Sequence, residues 1–487
     1  MVIGEPILSR KSIGGSMAGA LDALFKPKSV ALIGASANPS KIGHIALRNL
    51  SHGRFKLYPV NPKESAILDI PCYPSILDVD GPVDLAVISL PADMSLEPLK
   101  QCVRKKVKVV IVSSSGFRES GLAGQRLEEE LLAAVRGTST RLLGPNTMGI
   151  YAPARRLDTL FIPREKSKRP KKGGIAMLSQ SGAVSVAFME KAASAGVGVS
   201  ACVGIGNKAD IDENELLEYL GGDPNTRCIA LYLESFSDGK EFVRIASEVG
   251  LRKPIVVLKA GRTAAGSSAA RSHTGAIASS SDAMVDGVLR QAGVVRVYDE
   301  EELIDVSKAL AYADHIEGDR ICVVASAGGY GVIASDYVES KERGAGLRMA
   351  ELSETTKVKL KEVVPEFSSV QNPVDLTAGV TDEMYDSVLR ILQADEGTDG
   401  IMMSLELQPP NITRRLIEVA EQHSSSDGAK IVISAFGGDY TATMLKEFEK
   451  RRIPAYPTIW RAVRALRALA DRGRHLKRRK TSSEDPS

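Results

Sequence analysis

The sequence predicts an α/β protein of three units, each a parallel, doubly wound sheet. Three observations predict it. Short apolar runs alternate with amphipathic stretches from about residue 29 to about residue 470, the rhythm of repeated strand–helix–strand units. Small polar and glycine turns follow these runs directly, as at Gly34-Ala35-Ser36 and at Gln180-Ser181-Gly182. The last two units also read as copies of one fold. Gly174 to Gly182 resembles Arg320 to Gly329, Asn207 to Asp210 resembles Asn372 to Asp375, and Glu234 and Gly261 have counterparts in Glu406 and Gly437.

Taken in order, residues 1–21 read as a flexible lead and 22–152 as the first unit. Ser29–Ile33 is its first strand, nearly all apolar, as a sheet covered on both faces requires. A glycine turn and a helix near residues 42–51 follow, then strands at Lys56–Val60, Leu85–Ser89 and Val107–Val112. The unit closes at Gly144–Gly149, and residues 153–173 form a basic linker. Residues 174–312 make the second unit, 318–471 the third, and 472–487 a basic and polar tail.

Bulk numbers narrow the function classes. A chain of 487 residues has room for about three domains. A net charge of +3 gives no case for a nucleic-acid partner. The basic runs Arg164–Lys172 and Arg472–Lys480 have little aromatic company and read as a solvated linker and tail. Five scattered cysteines (72, 102, 202, 228, 322) form no CxxC and no His/Cys cluster, so neither a disulfide framework nor a metal site is expected. No apolar stretch reaches transmembrane length and no signal pattern opens the chain; a cytoplasmic protein with no membrane partner is expected.

The first unit carries a nucleotide-type pocket. Gly34, Ala35 and Ser36 lead through Lys41 into a helix, where close backbone approach and free N–H groups suit a phosphate. A dinucleotide site usually ends its second strand with an acid for the ribose; here Val60-Asn61-Pro62-Lys63 supplies Lys63 instead. That favours a phosphorylated adenosine such as coenzyme A, with NADP as the second choice. Ser89, Pro91 and Ser115 lie at later strand ends on the same rim, and Asn146 reaches the same crevice.

The second and third units carry the chemistry. Gln180, Ser181 and Gly182 open one helix, and Gly329 and Gly331 open its counterpart; two such N-termini are suited to hold a phosphoryl group. His273, in Arg271-Ser272-His273-Thr274-Gly275-Ala276, follows the apolar run Ile255–Leu258 and the turn at Gly261, and reads as a nucleophile on a mobile loop. The matching stretch of the other copy, Gly437 to Thr441, has no histidine, so folding does not require one there. Glu234 ends a strand and is placed to fix the tautomer of His273.

In this order the stretches from Gly34, Asn61, Gly144, Ser179 and Leu233, with Ser272-His273-Thr274-Gly275-Ala276, resemble the alpha subunit of ADP-forming acetyl-CoA synthetase. This is the nucleoside-diphosphate-forming acyl-CoA synthetase group, related to succinyl-CoA synthetase. The resemblance implies a Rossmann-like CoA-binding domain followed by two flavodoxin-like ligase domains. It implies His273 as the phosphorylated residue, Glu234 as its orienting carboxylate, and a helix start at Ser181-Gly182 that binds phosphate. The family's ATP-grasp domain, which binds ADP or ATP with Mg2+, is not found in the sequence; a separate beta subunit and an α2β2 heterotetramer are implied. The implied reaction converts acyl-CoA, ADP and phosphate to acid, ATP and CoA. Many relatives carry cysteine where this chain has Thr147, which leaves the acid open among acetate, branched and aryl acids. A succinyl-CoA-ligase-type alpha subunit would lack the third unit, and a non-catalytic CoA-sensing protein has no use for a reachable nucleophile. An NADP oxidoreductase survives only if the first pocket holds a dinucleotide.

Overall fold

In the computed structural model, residues 17–274, 281–341, 345–425 and 428–484 are described. The first sheet contains β1 (Ser29–Ile33), β2 (Lys56–Val60), β5 (Leu85–Ile88), β6 (Val109–Val112) and β7 (Arg141–Leu143). A small hairpin of β3 (Ala66–Ile67) and β4 (Ile70–Pro71) stands beside it. The order is β2-β1-β5-β6-β7, all parallel. β1, β5 and β6 are buried along their whole length, which is why they were legible as apolar runs without alternation.

The second sheet holds β8 (Ile150–Ala152), β9 (Leu157–Asp158), β10 (Lys172–Ser179), β11 (Val199–Gly204), β12 (Cys228–Leu233), β13 (Ile255–Lys259) and β14 (Val295–Val297). Its order is β14-β13-β12-β10-β11-β8-β9. The third holds β15 (Arg320–Ala325), β16 (Arg348–Met349), β17 (Val374–Asp375), β18 (Gly400–Leu405), β19 (Lys430–Ala435) and β20 (Ala455–Tyr456). It runs β16-β15-β18-β19-β20, with β17 also on β15. The second and third sheets thus repeat one arrangement about their first long strands, β10 and β15, as two copies of a fold should.

Four expectations need correction. Residues 17–21 are no flexible lead: they begin the helix Met17–Phe25, whose Ala20, Leu21 and Leu24 are buried, and whose Phe25 stacks on Tyr219 of the second domain at 4.8 Å. Residues 153–173 are no free linker. β8 extends the second sheet antiparallel to β11, and β9 pairs antiparallel to β8 at its edge, so the boundary placed at 152 falls inside that sheet. Buried Asp158 draws in Arg164 and Arg169 of the basic run at 2.9 and 3.1 Å. The tail is a helix, Ile459–Glu484, and Arg472 is among the largest fully buried side chains, pairing with Asp314 and donating to the Gly250 carbonyl.

The fourth concerns the stretch before His273. Ala264–Thr274 is a helix rather than a loop. Thr263 Oγ1 accepts from the Gly266 N–H at 3.0 Å, Ser267 Oγ donates to the Gly261 carbonyl at 2.7 Å, and four alanines favour the conformation. Residues 275–280 lie outside the described residues.

Two apolar clusters tie the domains together. One joins Val30, Leu47 and Leu24 to Leu178, Val203 and Leu217; the other joins Val256 and Leu310 to Val323, Val432 and Leu466. Among the described residues, no helix is long and apolar enough to cross a membrane.

Candidate active site

In a doubly wound sheet, ligands bind at the carboxyl ends of the strands where strand order reverses. In the first sheet that point lies between β1 and β5. Gly34 follows β1 with φ +89°, and a Cβ there would lie 2.6 Å from the Ser89 carbonyl oxygen, so only glycine lets the two strand ends close up. The turn carries the expected residues together. The Ala35 carbonyl accepts from the Asn61 side chain at 2.8 Å, Ser36 Oγ accepts from the Asn38 N–H at 3.1 Å, and Lys41 is the exposed N-cap of the helix Ile42–Leu50. Lys63 and Pro91 are exposed on the same rim, as is Ser115. Among the described residues, the buried hydroxyls of Ser89, Ser113 and Ser114 have no hydrogen-bond partner. A glycine cradle with unsatisfied hydroxyls fits a phosphate-bearing ligand such as CoA.

The second reversal lies between β10 and β12, and there the expected residues do meet. Gln180 follows β10 and is buried. Its Oε1 accepts from the backbone N–H groups of Glu234 at 2.9 Å and Ser235 at 3.2 Å, and its Nε2 donates to Ser235 Oγ at 3.3 Å. Gln180 is therefore engaged with the end of β12, as a latch on the rim. Ser181 caps the helix Gly182–Ala195, accepting from the Val184 N–H at 3.4 Å. Glu234 is buried and accepts from the Tyr232 hydroxyl at 3.4 Å.

Residues that the sequence did not single out complete this rim. Buried Lys208 donates to the Ser235 carbonyl at 2.8 Å and pairs with Glu213 at 3.0 Å. Buried Lys259, the last residue of β13, donates to the carbonyls of Glu234 at 2.7 Å and Ala260 at 2.5 Å. Burial, with Arg296 nearby, holds the Lys259 ammonium below the usual lysine range. A charge closing an apolar strand was the available signal for Lys259; nothing in the sequence marked Lys208.

The first and second domains meet at this rim. Asn146 donates from its side chain to Asn207 Oδ1 at 3.3 Å. Asn207 in turn donates to Glu119 at 2.7 Å and to Glu128 at 2.8 Å. Burial alone would push the Glu119 carboxyl up, but the Asn207 amide and the Gly116 N–H outweigh it and hold it below the usual carboxylate range. The helix Ala264–Thr274, which carries the backbone of His273, lies against the turn Arg118–Ser120. The side chain of His273 lies outside the described residues.

Gly329 and Gly331 belong to the rim of the third sheet, where the helix Gly328–Glu339 starts beside Asp375 and Pro373. Among the described residues no hydrogen bond joins that start to Gln180, Ser181 or Gly182. A cavity of about 700 Å³ lies along the flank of the helix Gly182–Ala195, from Ala183 and Val184 to Phe188, Ile304 and Leu445; neither Gln180 nor Glu234 lines it.

A family described as a CoA binding domain matches residues 28–153, one described as a succinyl-CoA ligase like flavodoxin domain matches 172–310, and one described as a ligase-CoA domain matches 321–474. The alpha subunit of acetate–CoA ligase [ADP-forming] I of Pyrococcus furiosus is 38% identical over 458 residues, covering 92% of this chain and 97% of the relative. Acetate–CoA ligase [ADP-forming] I of Archaeoglobus fulgidus is 37% identical over 94% of this chain, which spans only 64% of that longer relative. The solved acetyl-coenzyme A synthetase 1 of Ca. Korarchaeum cryptofilum, in complex with phosphate and ADP, superposes with a TM-score of 0.86 at 35% identity, over 95% of this chain and 99% of that one. With its three domains in the same order and near-complete coverage, the chain belongs to the family of ADP-forming acetate–CoA ligase alpha subunits.

Proposed function

We propose that this chain is the alpha subunit of an ADP-forming acyl-CoA synthetase and that it shuttles a phosphoryl group on His273. One observation carries the reading: the helix that bears His273 lies against the turn Arg118–Ser120 of the CoA-binding domain, beside the rim that holds Glu234 and the capped start at Ser181. A nucleophile there serves a thioester on one side and a phosphate on the other.

In the direction of ATP formation, a phosphate oxygen attacks the thioester carbonyl. The C–S bond breaks, the sulfur takes a proton, and acyl phosphate and CoA result. A neutral imidazole nitrogen of His273 then attacks phosphorus in line, and the bond to the acyl oxygen breaks, releasing the carboxylate. N–H groups at the start of the helix Gly182–Ala195, and at its counterpart near Gly329 and Gly331, stabilise the equatorial oxygens. Glu234 accepts the second ring N–H and stabilises the imidazolium character that develops. Lys208 and Lys259 fix the backbone from which Glu234 projects.

The phosphohistidine hands its phosphoryl group to a β-phosphate oxygen of ADP on an ATP-grasp beta subunit, with Mg2+ bound there, in an α2β2 assembly. CoA occupies the rim formed by Gly34, Ala35, Ser36, Lys41, Lys63, Ser89, Pro91, Ser115 and Asn146. A cytoplasmic setting suits the five free cysteines.

Labelled phosphate supplied with acetyl-CoA should leave an acid-labile, base-stable label on the wild-type chain and none on His273→Ala. Glu234→Gln should label about tenfold more slowly or worse, as loss of a proton-handling partner does. Label retained on His273→Ala removes the reading.

A further inference from the structure

We propose that Met148 is the side chain that limits the length of the acyl group and that offers a second carboxylate on it no partner. The inference rests on the reading above, in which the thioester is attacked beside the start of the helix Gly182–Ala195.

Met148 lies in the crossing from β7 to β8, the segment Gly144–Gly149 that passes from the first sheet to the second. The backbone on both sides of it is fixed. The Asn146 N–H donates to the Ser114 carbonyl at 2.9 Å, on the CoA rim, and the Asn146 side chain reaches Asn207. The buried Thr147 hydroxyl donates to the Gly204 carbonyl at 2.6 Å and accepts from the Gly149 N–H at 3.0 Å. Held in this way, the Met148 side chain lies on the first residue of the phosphate-binding helix. A Cβ on Gly182 would sit 2.6 Å from Met148 Cγ and 3.3 Å from its Sδ, and a Cβ on Gly204 would sit 3.4 Å from Met148 Cβ. Met148 is half-buried, with one side against the core of the second domain.

A thioester passing from the Ser114–Asn146 rim to an anion at Gly182 therefore carries its acyl chain past this thioether. The thioether gives an apolar chain dispersion contacts. It gives a second carboxylate nothing to pair with, and the two buried ammonium groups of the rim, Lys208 and Lys259, are engaged with Glu213 and backbone carbonyls. Dicarboxylic acyl groups are disfavoured for that reason, and long ones because Met148 fills the path.

The test measures initial rates of labelling from radioactive phosphate on the full chain, with acetyl-, butanoyl-, hexanoyl- and succinyl-CoA. Wild type should prefer acetyl-CoA. Met148→Ala should raise the hexanoyl-to-acetyl ratio of kcat/KM by about tenfold or more, since one methylene in an apolar pocket is worth about that much. Met148→Phe should lower the butanoyl-to-acetyl ratio. The two variants move the profile in opposite directions, which a general loss of folding would not do. Wild-type labelling with both ratios unchanged, or a wild-type preference for succinyl-CoA, overturns the assignment of Met148 alone. Absence of label on wild type overturns the phosphohistidine reading and this one with it.

Discussion

Gln180 shows how one side chain decides the shape of a site. Its amide oxygen serves two backbone N–H groups at the end of β12, so the backbone of Glu234 is pinned before any ligand arrives. The other copy solves the same problem with a smaller group: Ser326 Oγ accepts from the Glu406 N–H at 2.7 Å. A polar residue after the first strand that catches the amide of the strand-end glutamate is thus part of the fold in both copies. Gln180→Ala removes the acceptor for two donors near the interior. Each unsatisfied group costs about 1–3 kcal/mol, and the rim should respond by letting Glu234 move. The expected outcome is a lower thermal midpoint together with slower labelling of His273. A variant that loses stability but labels at the wild-type rate would show that the latch serves the fold alone.

At the scale of elements, what was legible followed from burial. β1, β5, β6, β12 and β13 are apolar because helices cover both faces of their sheets, and each was readable as a strand for that reason. The glycine turns after β1 and β10 were legible because close approach leaves few residue choices. The misread elements obey other rules. Ala264–Thr274 has the small polar composition of a linker, and its helicity comes from Thr263 and the alanines, a local effect that hydrophobic periodicity does not report. β8 and β9 are short, β8 pairs with β11 far along the chain, and the basic run beside them is held by one buried aspartate, Asp158; neither fact has a local signature. Lys208 was missed because a lysine in a loop carries no mark of burial. The element-level prediction concerns the first turn. A Cβ on Gly43 would run into the carbonyl oxygen of Gly34, a backbone atom that has no freedom to yield. Gly43→Ala should push the helix Ile42–Leu50 off the turn and weaken CoA binding by about tenfold or more, because a displacement of about 1 Å in a positioning element is costly. Titration calorimetry with CoA reads this directly, and wild-type affinity would refute the role given to the turn.

Across the whole molecule, the two ligase domains are joined by a buried polar seam. Lys308 of the second domain reaches Glu449 of the third at 2.6 Å and the Ala455 carbonyl at 2.7 Å, and its ammonium lies 3.9 Å from the centre of the Tyr456 ring. Arg461 binds Asp305 at 2.6 Å across the same boundary. Burial pushes the Glu449 carboxyl up to about 7, against the opposing pull of Lys308 and of the Ala455 N–H, with Asp305 adding to the rise. The folded pKa thus lies above the ordinary 4.5, so the folded protein binds the proton more tightly than the unfolded chain does. The stabilisation from this group is complete below pH 4.5 and is lost as pH rises through 7. Its slope is at most about 1.4 kcal/mol per pH unit. Because the second and third domains share one apolar cluster, the loss should appear in a single transition for both. Denaturant midpoints at pH 5 and pH 7 should therefore differ more in the wild type than in Glu449→Gln, which cannot titrate. Equal differences in the two proteins would mean that the seam carries no proton at neutral pH and that the Lys308–Glu449 pair is fully ionised throughout.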